Sequence, residues 1–361
     1  MHSILQFISD VAASTISMLN SASAWMLFSF LVAGLVHEFV GPEKMKKSAI
    51  GSTRISGLLW TTLTGMCLPI CSCGTIPLGI SMYYSGAYLG PTLTFMTSTP
   101  MINPISIILA FGLLGKEIAT IYVLTGFFGP LLIGMIANRF GGNELYYKPA
   151  YEAAAQPKLN LTWAKPSFLQ KIKKGVRWAF TELAVTISKY TISGMLLAGV
   201  LFTVVPQSAI SRYLGDPGMI SLLGITAIAA LMYVCAVGHI PFIAALVASG
   251  AAPGVAITFL MAGCATNIAE LLTIRKTIGR RSMLIYSASV VLLSEVVGYL
   301  TNRLLPNFQP VLDYDAVTHS ISSANALIVE IPEWLKYGCS AVLVVYACIA
   351  LVRWLKKSLG E

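Results

Sequence analysis

"CSCGTIPLGISMYYSGAYLGPTLTFMTSTPMINP", residues 71–104, is apolar enough to lie in a membrane, yet it is built to interrupt helices. Pro77, Pro91, Pro100 and Pro104 lack the N–H that a helix uses, and inside a helix each frees a carbonyl upstream. Gly74, Gly79, Gly86 and Gly90 allow turns and close backbone approach. The closing "TSTPMINP" (97–104) supplies hydroxyls and the Asn103 amide, which can take up freed carbonyls. Irregular backbone at membrane depth survives only where protein or a cavity covers it. The segment therefore marks a site or a close packing contact, since small and polar residues also serve helix packing alone.

The chain has 361 residues, 56% of them hydrophobic and 11% charged, against roughly 25% charged in a soluble domain. So few charges cannot cover so much apolar surface in water, and the class is a polytopic membrane protein. The net charge of +9 does not indicate nucleic acid. The basic residues sit beside apolar runs, in "EKMKK" (43–47), "KIKKGVR" (171–177), "RKTIGRR" (275–281) and "RWLKK" (353–357). That placement is the mark of loops held at a cytoplasmic face. Residues 1–20 lack a basic n-region and a long apolar core, and read as an amphipathic or partly inserted helix. Seven cysteines, most of them in apolar segments, do not form a secreted disulfide framework.

A spanning helix needs about 20 apolar residues. Runs of this kind lie near 22–40, 56–81, 91–114, 118–138, 183–205, 218–247, 254–274, 283–301 and 336–353. The expectation is an all-α polytopic fold with about nine helical spans. Its divisions are an N-terminal segment (1–21), a first membrane repeat (22–140) and a basic linker (141–182). A second repeat (183–304), an acidic loop (305–335) and a C-terminal helix with a basic tail (336–361) follow.

The two repeats rest on a register of 164 positions, the separation of Gly74 from Gly238. In that register Cys71 meets Cys235, Pro77 meets Pro241, "SGA" (85–87) meets "SGA" (249–251), and Gly90 meets Gly254. Asn103 meets Asn267, Tyr122 meets Tyr286, Gly134 meets Gly298, and Asn138-Arg139 meets Asn302-Arg303. Duplicated halves are characteristic of secondary transporters, whose binding sites sit where matching broken helices meet. Charge alone gives conflicting topologies. With four crossings per half, the basic linker 141–182 shares a side with the acidic loop. Re-entrant hairpins, with the "SGA" turns as candidate tips, would remove the conflict. An odd crossing count would make the halves inverted; an even one would make them parallel.

The broken segments 71–104 and 235–270 hold the candidate site. Cys71, Cys73 and Cys264 are candidate soft ligands for cargo, and Cys235 is a further metal-ligand candidate. Thiolates suit Cu(I), zinc and, by the same softness, trivalent arsenic; the alternative is that these cysteines only pack. Thr99, Pro100, Asn103, Thr266 and Asn267 would shape and hydrate the site. Glu270 and Glu295 are candidates for proton coupling, since an ionisable group inside a span is costly and usually functional. No Walker A motif is present, and no cofactor is expected.

At "CSCGTIP" (71–77), "SGA" (85–87), "GPTLTF" (90–95) and "STPMINP" (98–104) the sequence resembles a bacterial family of predicted permeases that includes the ArsP organoarsenical exporters. The resemblance runs over about 22–304 and takes in both halves. It implies an integral inner-membrane permease, with trivalent organoarsenicals or other soft metal species as cargo and proton-coupled export as its mode. The expected function is gradient-driven efflux by a non-enzyme. The alternatives are a membrane thiol-disulfide oxidoreductase using Cys71 and Cys73, or a channel for a small solute. The expected partners are the small cargo and the bilayer, with no nucleic acid; homo-oligomerisation is left open.

Overall fold

The computed structural model of the chain describes residues 2–40, 48, 51–68, 70, 72–149, 152, 167–204, 218–231, 235–248, 250–306, 308, 322–323 and 331–359. Among the described residues there is no strand. The helices are α1 His2–Phe39, α2 Ile55–Cys67, α3 Ser72–Tyr84, α4 Leu89–Met101, α5 Pro104–Leu113 and α6 Gly115–Phe140. Next come α7 Phe168–Trp178, α8 Ala184–Val204, α9 Met219–Leu231, α10 Ala236–Ala248 and α11 Pro253–Ala265. Last are α12 Ile268–Thr277, α13 Arg280–Leu304 and α14 Glu333–Leu359.

Among the described residues five helices are long and apolar enough to cross a membrane, and six if the bent pair α4–α5 is one span. The expected count of about nine spans is not reached among the described residues. Hydropathy reads 56–81 and 218–247 as single spans, but the first is divided between α2 and α3 and the second between α9 and α10. A helix of 13 residues, such as α3, reaches only about 20 Å, short of the roughly 30 Å hydrocarbon core. At the N-terminus, the expected amphipathic segment and first span form one helix, α1, of 38 residues.

The helix bounds carry the register seen in the sequence. α2, α3, α4 and α5 recur 164 residues later as α9, α10, α11 and α12, and α6 corresponds to α13. Side-chain bonds recur with them. Asn138 Oδ1 accepts from Gly90 N (3.0 Å), and Asn302 Oδ1 from Gly254 N (2.6 Å). Thr94 Oγ1 donates to Pro130 O and Thr258 Oγ1 to Ser294 O, both at 3.1 Å. Each "SGA" turn closes a helix in the same way. Ala87 N bonds Met82 O and Gly86 N bonds Tyr83 O; Ala251 N bonds Leu246 O and Gly250 N bonds Val247 O. This double bond pattern needs a left-handed residue, supplied by Gly86 (φ 96°) and Gly250 (φ 99°).

The halves are inverted. At one face the end of α6 meets the start of α13: Arg281 Nε donates to Phe140 O (2.6 Å), and Ser282 N to Glu144 Oε2 (2.6 Å). At the other face Gly115 lies against the Phe308 ring just beyond α13. Midway, Gly129 sits against Leu293. Equivalent helices therefore run antiparallel. Tyr84 at the end of α3 donates to Thr277 O at the end of α12 (2.9 Å), and Trp178 lies 6.4 Å from the Tyr84 ring. The basic stretches 171–177 and 275–281 thus share one face, which removes the conflict that charge alone produced.

The re-entrant reversals are not at the "SGA" turns. Asn138 Nδ2 reaches Thr53 O, just before α2, at the basic face. Gly65, near the end of α2, packs on Ser98 and Thr99 near the end of α4. α3 returns from that depth, with Gly79 against Met96, to its turn at the basic face. The deep reversal therefore lies between Cys67 and Ser72. "SGA" forms capped turns at the faces because glycine there closes a helix.

α4 and α11, wholly buried along their 13 residues, pack on each other at the centre. α1 and the continuous run α7–α8 lie antiparallel outside them. Gly34 meets Gly175, and Gly199 meets Val11 and Thr15. Leu223, Phe128, Leu292 and Leu300 on the outer surface are at least half exposed, as lipid-facing side chains are.

Candidate functional site

The site begins where two central helices stop. After Met101 the backbone is extended at Ile102 and Asn103, and Pro104 restarts the helix at its first position, where its missing N–H costs nothing. Asn103 Oδ1 accepts from Ser106 N (2.9 Å), and Ser106 Oγ accepts from Asn103 N (2.9 Å). This is a capping box. The second half repeats the break after Ala265. Asn267 Oδ1 accepts from Glu270 N (2.9 Å). Ser106 and Glu270 occupy the same position of the repeat, so a hydroxyl in one half is a carboxyl in the other.

Glu270 is fully buried. Its Oε2 accepts from Asn267 Nδ2 (3.2 Å) and its Oε1 from the Tyr286 hydroxyl (3.0 Å). Among the described residues no cation pairs with it. Two neutral donors hold a carboxyl at the first turn of α12, where a helix N-terminus favours negative charge.

A tyrosine reaches each break, and one of them bonds across the halves. The Tyr122 hydroxyl donates to Met101 O at the end of α4. It also reaches the Ser106 hydroxyl and lies within electrostatic range of Cys264 and Cys235. The Tyr286 hydroxyl, besides Glu270, lies 3.4 Å from Met96 O in the opposite half. Pro100 is four residues beyond Met96 and has no N–H to offer that carbonyl. The kink in the first half is thus completed from the second.

Of the residues expected at the site, the structure bonds Asn267 to Glu270, sets Asn103 at the matching cap of the first half, and buries Cys264 near the end of α11. Cys264 is wholly buried, within electrostatic range of Cys235 and Glu270. Cys235 is half-buried at the start of α10, where His239 Nδ1 lies 3.2 Å from its N and 3.0 Å from its O. Thr99 and Thr266 hydroxyls fold back on their own helices, onto Phe95 O (3.0 Å) and Ala262 O (2.6 Å). Pro100 is buried within α4. Cys71 lies outside the described residues, as does the Cys73 side chain. The Cys73 backbone is in the first turn of α3, which the Gly79–Met96 contact sets level with the first break. Among the described residues no three His, Cys, Asp or Glu side chains converge as a metal site. Glu295 stands apart, nine positions along α13 from Tyr286, roughly 13 Å. One of its oxygens accepts from Thr226 (2.5 Å), and the other is buried with no partner among the described residues.

Tyr122, Tyr286 and Ser106 were not among the expected site residues. The tyrosines had a signal: an aromatic hydroxyl at the same place in both repeats. In an apolar span a tyrosine reads as bulk, and the partner of its hydroxyl lies elsewhere in the chain.

A family model described as a predicted permease matches residues 8–303. The chain belongs to that family, ArsP_1. It is 28% identical to a UPF0718 protein of Methanocaldococcus jannaschii, over 78% of this chain and 91% of that one. It is 26% identical to the UPF0718 protein YcgR of Bacillus subtilis, over 77% and 92%. It is 22% identical, over 79% and 94%, to a Streptococcus mutans protein named as a two-component membrane permease complex subunit. No solved structure matches. This ArsP_1 protein is a multi-pass membrane permease, and the family points to small-substrate transport.

Proposed function

We propose that this permease exports a soft metal or metalloid species, of the trivalent organoarsenical kind, in exchange for protons. One observation carries the proposal: across the inverted halves, the Tyr286 hydroxyl joins the buried Glu270 carboxyl at the second break to Met96 O beside the first. Inverted repeats with broken helices at their interface are the architecture of gradient-driven transporters. Cys264 is the cargo ligand at the cluster, and Cys235 is the second sulfur beside it. Cys71 and Cys73 are the further soft ligands of the proposal. A monosubstituted arsenical has two ligands to exchange for thiolates, which matches a cysteine pair better than a three-thiolate cage. Asn103, Asn267, Thr99, Pro100 and Thr266 shape the passage.

Glu270 is the proton carrier, because its carboxyl is held by neutral donors at the cluster itself. Glu295, remote from the cluster and bonded to Thr226 of α9, is the second candidate for proton coupling. The basic face, with Arg275, Lys276, Arg280 and Arg281, is cytoplasmic by the positive-inside rule, and the membrane is the inner membrane.

The test is uptake into everted vesicles with methylarsenite, inorganic arsenite, Cu(I) or Zn²⁺, with and without a proton gradient. Saturable, gradient-dependent uptake of methylarsenite that is lost in Cys264→Ser and Glu270→Gln is expected. Uptake equal to that of empty vesicles for all four would overturn the proposal.

A further inference from the structure

We propose that Tyr286 is a hydroxyl switch that passes the protonation state of Glu270 to the Met96 carbonyl in the opposite half. This rests on Glu270 as the proton carrier and adds how its proton is read.

The Tyr286 hydroxyl has one proton and three oxygens within reach: Glu270 Oε1 at 3.0 Å, Met96 O at 3.4 Å and the Thr97 hydroxyl, whose own proton goes to Leu93 O. It donates to one at a time. When Glu270 is ionised, the charged acceptor takes the phenol proton, because bonds to ionised groups are the stronger ones. When Glu270 gains a proton from the passage, the new carboxyl O–H donates to the phenol oxygen. The phenol proton then turns to Met96 O. One proton enters and none leaves the tyrosine. The result is a hydrogen bond joining α13 to α4 that exists only while Glu270 is protonated.

Pro100 makes this possible. With an N–H at position 100, the Met96 carbonyl would bond within its own helix. At the equivalent place in the second half stands Cys264, which keeps its N–H, so the switch is built on one side only. The groups facing Glu270 are few. Among the described residues Tyr286 of α13 and Asn267 of its own cap bond it, and Cys264 of α11 lies within electrostatic range. α8 and α3 also pack on α12, and no described charge acts on Glu270 from either. Lys189 of α8 lies over the ring of Tyr190, 4.6 Å from its centre.

The experiment is an infrared pH titration of the full-length protein in proteoliposomes. It compares the wild type with Glu270→Gln, Tyr286→Phe and Pro100→Ala. The Glu270→Gln variant identifies the Glu270 carboxyl band. Tyr286→Phe removes the donor to the carboxylate, so the band should persist to higher pH, by about one to two units. Pro100→Ala returns an N–H to Met96 O and commits the phenol to Glu270, so the band should vanish at lower pH than in the wild type. A fluorotyrosine placed at 286, a stronger donor of the same shape, should shift it in the same direction as Pro100→Ala and covers a failure of Tyr286→Phe to fold. If Glu270→Gln removes a titrating band while none of the other three moves it, the switch fails and Glu270 as carrier stands. If no band distinguishes the wild type from Glu270→Gln at any pH, Glu270 is not the carrier and both proposals fail.

Discussion

Gly129 of α6 lies against Leu293 of α13, and each is the other's counterpart in the repeat; a Cβ on Gly129 would come 2.9 Å from Leu293 Cδ2. A residue that touches its own equivalent sits on the axis relating the two halves. Gly129→Leu should cost about 1–3 kcal/mol by overpacking. Exchanging the pair, Gly129→Leu with Leu293→Gly, should recover much of that, because the axis makes the positions interchangeable. Thermal unfolding in detergent, read as a double-mutant cycle, measures the coupling.

The asparagine clamps are a second shared device. Asn138→Ala leaves the Gly90 N–H without its acceptor, and Asn302→Ala does the same to Gly254. Each should lower stability by about 1–3 kcal/mol. The Asn302 bond is the shorter and more buried, so its loss should cost more in the same unfolding assay.

The two caps should part company on substitution by aspartate. Aspartate caps a helix as well as asparagine does, so Asn103→Asp, facing Ser106, should keep transport near the wild-type level. Asn267→Asp removes the amide donor to Glu270 Oε2 and sets a second carboxyl against it. Like charges in one buried site cannot both ionise readily. Methylarsenite transport in Asn267→Asp should fall at least tenfold and change its pH profile. Equal behaviour of the two variants would deny the asymmetry between Ser106 and Glu270.

Glu144 clasps the halves at the basic face. Its carboxylate accepts from Arg281 N, Ser282 N and Ser282 Oγ at the start of α13, in space left open by Gly279. Removing a cap of this kind costs about 0.5–2 kcal/mol, and Glu144→Ala should lose that much. Glu144→Gln keeps an acceptor but not the charge at the helix start, and should lie between them.

The duplicated halves and their breaks were legible because glycine, proline and asparagine are hard to place by chance in one register. Asn103 and Asn267 stood out as amides in apolar runs, and both prove to be helix caps. The span count was not legible. A hydropathy window averages across Cys67–Ser72 and sees one long run where two short helices meet. Relative direction was hidden as well, since matching residues at a fixed offset carry no sign; Phe140 with Arg281, and Gly115 with Phe308, supply it. Tyr286 could not be read as a partner of Met96, because that contact joins positions far apart in sequence and exists only once the halves are inverted.

Inversion is the claim on which the shared site, the proton carrier and the switch all depend. Sided labelling tests it most directly. Single cysteines would replace the exposed residues Lys148, Lys276, Lys116 and Arg303, with the wild-type chain as the blank for native thiols. A membrane-impermeant maleimide is then applied to intact cells and to everted vesicles. Inverted halves place 148 with 276 on the side labelled only in everted vesicles, and 116 with 303 on the side labelled in intact cells. Labelling of 116 and 276 from the same side would contradict it.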